Sequence, residues 1–276
     1  MNKYLRRTII GLCAALPLAT ATLFLKTRDC CAYLSNHKDE DVEEFVIENI
    51  EQLIRDQEEQ VGFSLFPPPQ KIEFMLPENL RDEVVKSGWI TYGLYDFQEN
   101  VLYLNSGMLT LPSFDLSDIA AWVGTMGIAK NVKDTLYHEL GHYYCDRLYE
   151  TMLEDIAAKD DLNDPFRLDK MVSLNIIHEG IGEYFERVMT KEEDSFEDRD
   201  WPMKGEEFVD LEALIFDQKI LVPERLKYDG GYHLVKPIID QYKKEGILYL
   251  LHHIPDNLLE LPEYQQKALE ELSQKN

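Results

Sequence analysis

The sequence predicts an α+β chain, with a small N-terminal mixed-sheet lobe followed by a mainly helical lobe. Short apolar runs of strand type are confined to residues 71–105. Helical apolar spacing precedes them, and everything after residue 117 reads helical. No internal repeat or low-complexity tract points to a solenoid or fibre. A chain of 276 residues can bury a substantial core in one domain or in two closely packed lobes.

Residues 1–28 carry no acid and five Lys or Arg, and 8–25 is an uncharged stretch. This segment is either a signal peptide, with Ala19-Thr20-Ala21 resembling a cleavage site, or a single membrane anchor of marginal length. Apolar character continuing through Leu23-Phe24-Leu25 favours the uncleaved anchor. Either way the positive N-terminus stays inside, and the remainder is delivered across the membrane, tethered or secreted. Residues 29–40 read as a linker and 41–276 as the main folded domain, with lobes 41–130 and 131–276. Beyond residue 28, 23 basic residues face 52 acidic ones, a field that disfavours nucleic acid as a partner. The acidic runs at 192–194 and 197–200 read as solvated loop.

Four cysteines do not make a disulfide framework. Cys13 lies in the apolar segment, Cys30 and Cys31 stand beside the membrane, and Cys145 falls in a helix where core packing is its simplest role.

Residues 40–56 form an amphipathic helix with Phe45, Val46, Ile50, Leu53 and Ile54 inward, and Pro67-Pro68-Pro69 separates it from the sheet region. Residues 71–76, 89–95 and 101–105 read as strands, the last two joined by a tight turn at 96–100. Residues 134–149 read as a helix on the spacing of Leu136, Leu140, Tyr144 and Leu148, continuing to about 158. After the polar break 159–165 a second helix runs from Arg167 through residue 185. Residues 234–242 form an amphipathic helix whose Pro237 would deprive the His233 carbonyl of its helical partner, unless the helix starts only near Lys236. The last helix covers 262–274.

The chemistry is concentrated in His138-Glu139-Leu140-Gly141-His142. Two histidines four apart on a helix lie on one face, a turn apart, and can share a metal ion. The intervening Glu139 cannot easily join them as a ligand but can take a proton from a water at the metal. The uncharged neighbours Thr135, Leu136, Leu140, Gly141, Tyr143 and Tyr144 make the segment resemble the zincin metallopeptidases. A catalytic zinc needs a third protein ligand. The metzincin continuation is excluded, because Cys145 and Leu148 stand where its Gly and His would be.

The stretch Asn175-Ile176-Ile177-His178-Glu179-Gly180-Ile181-Gly182-Glu183-Tyr184-Phe185 resembles the Glu-bearing helix of the gluzincins, the thermolysin and aminopeptidase N group. The resemblance implies a zincin-like fold, one Zn2+ per chain, and Glu179 as the third ligand beside His138 and His142. Helix lengths of about 24 Å out and 18 Å back agree with it, returning Glu179 to the neighbourhood of the histidines. The spacing of 37 positions from His142 to Glu179 is longer than the family's usual one. Glu183, at i+4 from Glu179, suits the role of orienting a ligating imidazole. His178 points about 100° away from Glu179 and reads as packed or solvent-facing.

In such a site Glu139 acts as general base and then as acid towards the leaving amine. A second donor for the developing oxyanion is sought in Tyr228-Asp229-Gly230-Gly231-Tyr232-His233. The aminopeptidase pattern selects Tyr228 and the thermolysin pattern selects His233; Tyr228 is the preferred reading. The zincin resemblance also implies an edge strand before the motif helix that pairs with an extended peptide substrate, and residues 101–105 are the candidate. The resulting expectation is a zinc peptidase acting outside the cytoplasm. The alternative is a catalytically inactive zincin-like scaffold that binds a partner at the cell surface.

Overall fold

The computed structural model describes residues 36, 38–62, 69–87, 91–96, 98–111, 130–148, 165–190, 226–256 and 260–275. In chain order the elements are α1 (Glu40–Val61), β1 (Lys71–Glu73), α2 (Glu78–Ser87), β2 (Gly93–Asp96), β3 (Val101–Leu104), β4 (Leu109–Thr110), β5 (Lys130–Asn131), α3 (Val132–Leu148), α4 (Pro165–Thr190), α5 (Gly231–His252) and α6 (Leu261–Lys275). A 3-10 turn (Ser106–Met108) precedes β4, and a π-helical turn (Leu226–Gly230) leads into α5. The architecture is mixed, with small sheets and a mostly helical remainder.

The segment 1–28, the acidic runs at 192–200, and Cys13, Cys30 and Cys31 lie outside the described residues. Among the described residues no helix is long and apolar enough to cross a membrane.

Asp39 caps α1: its Oδ1 accepts the backbone N–H groups of Asp41 and Val42, both at 3.1 Å. Glu40, Asp41 and Glu43 add favourable charge to the first turn. The helix runs past the expected end at residue 56 and stops before the prolines, at Gly62, whose φ of 73° is a left-handed conformation that glycine adopts without a Cβ clash. Its N–H closes the last turn onto Glu58 O at 2.9 Å.

The chain divides into two compact units. The first comprises Met1–Ile47, Ile72–Leu94 and Leu102–Val132. Buried Ser106 ties it together, donating to Phe74 O at 3.0 Å and accepting from Asp39 N at 3.1 Å. Asn105 fastens onto the chain before β2, its backbone N–H reaching Tyr92 O and its amide reaching Thr91 O. β4 and β5 pair in parallel, Leu109 opposite Lys130 and Thr110 opposite Asn131.

The three-stranded sheet has the order β1-β3-β2. This corrects the expectation that residues 101–105 form an edge, because β3 has a neighbour on each side. Val101, Leu102 and Leu104 are buried, so the run is continuously apolar instead of alternating, as a strand covered on both faces requires. The strand directly before the motif helix is β5, which also interrupts the all-helical reading of the region beyond residue 117.

The second unit comprises Glu48–Lys71, Tyr95–Val101 and Lys133–Asn276. Here α3 is buried nearly all round: Leu136, Tyr137, Leu140, Tyr143, Tyr144 and Cys145 are each at most 2% exposed. Cys145 is a free, buried thiol, which fits its core-packing role. Fully buried Gln57 of α1 donates to Tyr137 O at 3.0 Å and accepts from Tyr144 OH at 2.6 Å, satisfying its amide inside the core. Edge-on ring contacts join Tyr143 to Tyr144 at 5.6 Å, Tyr144 to Phe185 at 5.4 Å and Phe185 to Tyr184 at 5.6 Å. Each contributes about 0.5–1.5 kcal/mol beyond its buried area. The proposed extension of the motif helix past Leu148, to 158, lies outside the described residues.

Pro237 sits inside α5, which begins at Gly231 and not near Lys236. The carbonyl it deprives, that of His233, is taken by Gln265 of α6, whose Nε2 donates to His233 O at 2.6 Å and to Leu234 O at 2.8 Å. The helix therefore tolerates the proline without an orphaned buried acceptor. It kinks at Lys243, where φ is 51° and ψ is −122°.

Candidate metal centre

The site lies within the second unit, where α4 crosses α3 at two glycines. A Cβ on Gly141 would stand 2.9 Å from the Cα of Gly182 and 3.1 Å from Phe185 Cδ2. A Cβ on Gly182 would meet His138 Nε2 at 2.9 Å and His142 Cε1 at 3.0 Å. Both imidazoles therefore lie against the bare backbone of α4, one turn from Glu179. A second bare contact brings Gly231, at the start of α5, onto Gly180; a Cβ on either would run into the other's backbone.

This packing brings together the three residues that the sequence motif and the gluzincin resemblance single out as ligands. His138 Nε2 and His142 Nε2 are 3.1 Å apart, and Glu179 Oε2 lies 3.3 Å from the first and 3.5 Å from the second. Four-coordinate zinc with bonds of about 2.0–2.1 Å needs ligand atoms roughly 3.3–3.4 Å apart, so the triangle has the size of three tetrahedral positions. Two imidazoles and one carboxylate form a donor set used by catalytic zinc, which keeps a fourth position open.

The surrounding charges favour a cation. Burial opposes protonation of His138, but the carboxylates of Glu179 and Glu186 outweigh it and raise its pKa to about 10. Burial likewise works against the charge on Glu179, yet its bonds to His138 and His142 hold it well below the usual carboxylate range. His138 and Glu139 are each only 7% exposed.

On its far side, His138 Nδ1 lies 3.3 Å from Glu186 Oε2 and 3.7 Å from Glu183 Oε2. The nearer carboxylate is Glu186, not the Glu183 singled out from sequence. Glu183 is engaged by Arg187, whose Nε donates to it at 2.7 Å while Nη2 reaches Asp229 at 2.5 Å. The Arg187 guanidinium also lies over the Tyr232 ring, 4.6 Å from its centroid. These contacts fasten the π turn and the start of α5 to α4. From that turn Lys227 reaches back to Glu179 Oε1 at 2.5 Å.

The Tyr228 ring lies 5.9 Å from the His138 ring, centroid to centroid. His233 packs edge-on against Tyr232 at 5.3 Å. His178 is packed, stacked on His142 with centroids 4.2 Å apart and planes 7° from parallel. Burial, and next the neighbouring His142, lower its pKa to about 3, so it is a neutral ring wall against His142.

Sequence reasoning missed Glu186, Lys227 and the Arg187–Asp229 tether. Glu186 carried a signal, since it stands at i+7 from Glu179, on the same helical face. Lys227 carried none, because its role depends on how the π turn folds back. No family model, no curated protein and no solved structure matches this chain.

Proposed function

We propose that this chain is a zinc-dependent peptidase of gluzincin type, with one zinc ion held by His138, His142 and Glu179. The observation that carries the reading is the triangle of His138 Nε2, His142 Nε2 and Glu179 Oε2, with sides of 3.1, 3.3 and 3.5 Å. When bound, zinc supplies Lewis acidity, polarising a carbonyl and lowering the pKa of a water to about 7.

The chain's own residues supply the rest. Glu139, in the motif between the two histidines and almost fully buried, accepts the proton of the attacking water and returns it to the leaving amine. Tyr228 donates towards the oxyanion that develops on the substrate, a role supported by its ring's proximity to His138. Glu186 holds the His138 ring in the tautomer that leaves Nε2 for the metal. The substrate is a peptide or protein met outside the cytoplasm, with residues 1–28 serving as membrane tether or secretion signal.

The test uses the purified full chain, supplied with zinc and offered a broad peptide library. Cleavage abolished by a chelator, and by Glu139→Gln in a variant that still binds zinc, supports the peptidase. Zinc binding with no cleavage anywhere in the library supports the inactive scaffold instead.

A further inference from the structure

We propose that Lys227 is a positioning residue that restricts Glu179 to a single ligating oxygen. The inference rests on the zinc reading above and concerns how the third ligand is presented.

A carboxylate has two equivalent oxygens, and without constraint it can bind a metal through one or both. In this chain they are assigned different partners. Oε2 faces the two histidine Nε2 atoms at 3.3 and 3.5 Å, whereas Oε1 accepts from Lys227 Nζ at 2.5 Å. A charge-assisted bond of that length occupies Oε1 and fixes the rotation of the carboxylate plane. Only Oε2 is then left to face the histidines.

The pair is not a loose surface contact. The Lys227 side chain is 23% exposed and that of Glu179 is 13% exposed. The π turn that carries Lys227 is pinned twice to α4: Asp229 bonds Arg187 at 2.5 Å, and the backbone of Gly231 rests on that of Gly180, the residue after Glu179. The Lys227 ammonium also lies 5.1 Å from the centroid of the Tyr228 ring, which narrows its range of positions further. Lysine suits the task because its ammonium is a compact point charge that can satisfy one oxygen without spanning both, as a guanidinium fork tends to do.

A consequence for the metal follows. With Oε1 occupied, the protein supplies three ligand atoms, which preserves an open position for water. With Oε1 released, the carboxylate is free to supply a fourth and raise the coordination number.

The experiment loads the full chain with Co2+ and records its visible ligand-field spectrum, which reports coordination number independently of activity. Circular dichroism checks the fold of each variant, and Lys227→Leu replaces Lys227→Met should the latter not fold. The wild type is expected to show the intense absorption of a four-coordinate ion. Lys227→Met should lose about two-fold or more of that intensity. Identical spectra for wild type and Lys227→Met, both with cobalt bound, would overturn the role of Lys227 and leave the metal site standing. A wild type that takes up no cobalt would instead overturn the zinc reading itself.

Discussion

A Cβ on Gly141 would stand 2.9 Å from the Cα of Gly182, so α3 and α4 cross with no side chain between their backbones. The same glycine of α4 lies under both imidazoles of the motif. Close helix approach and the convergence of the two imidazoles therefore have one cause. Gly182→Ala would force the histidines and α4 apart by several tenths of an ångström. The expected result is a stability loss of about 1–3 kcal/mol. Zinc affinity should fall by at least about ten-fold, read by competition with a chelator.

Arg187 joins Glu183 and Asp229 and is only 13% exposed. Removing it leaves two largely buried carboxylates without their shared cation. Arg187→Met should destabilise the fold by about 2–3 kcal/mol in denaturant unfolding. An unchanged unfolding midpoint would mean that the tether is not holding the π turn to α4.

Gln265 serves the carbonyl that Pro237 cannot. Gln265→Ala should cost about 1–2 kcal/mol by leaving His233 O without a partner. Adding Pro237→Ala in the same chain restores a backbone N–H at the right place. The double variant should therefore recover much of the loss, a coupling that a double-mutant cycle measures.

Lys243 holds a φ of 51° with a ψ of −122°, a combination that is costly for any residue with a Cβ. Lys243→Gly should stabilise the fold by about 1 kcal/mol, net of the added freedom of the unfolded chain. A loss of stability on thermal unfolding would count against the kink.

Much of the site could be read in the sequence because its signals are local. His138 and His142 are tied by helical spacing, and Glu179 followed from the resemblance of its own helix. The glycines at 180 and 182 were visible as letters, but their reason, a backbone meeting two imidazoles and a second helix, is a tertiary fact. Lys227 was invisible on the same ground. The misplaced edge strand has a similar origin: strand order depends on pairing between distant segments. Even so, the unbroken apolar run from Val101 to Leu104 was a sign of burial on both faces. The Pro237 puzzle was posed correctly by the sequence, yet its answer lies 28 residues further on, at Gln265.

The central claim is that His138, His142 and Glu179 form one zinc site, and metal analysis of the full chain after equilibration with zinc and gel filtration tests it most directly. The account predicts about one zinc per folded wild-type chain, and little or none in His142→Ala or Glu179→Ala. A folded wild type without zinc, or a Glu179→Ala variant that retains as much zinc as the wild type with equal affinity, would contradict it.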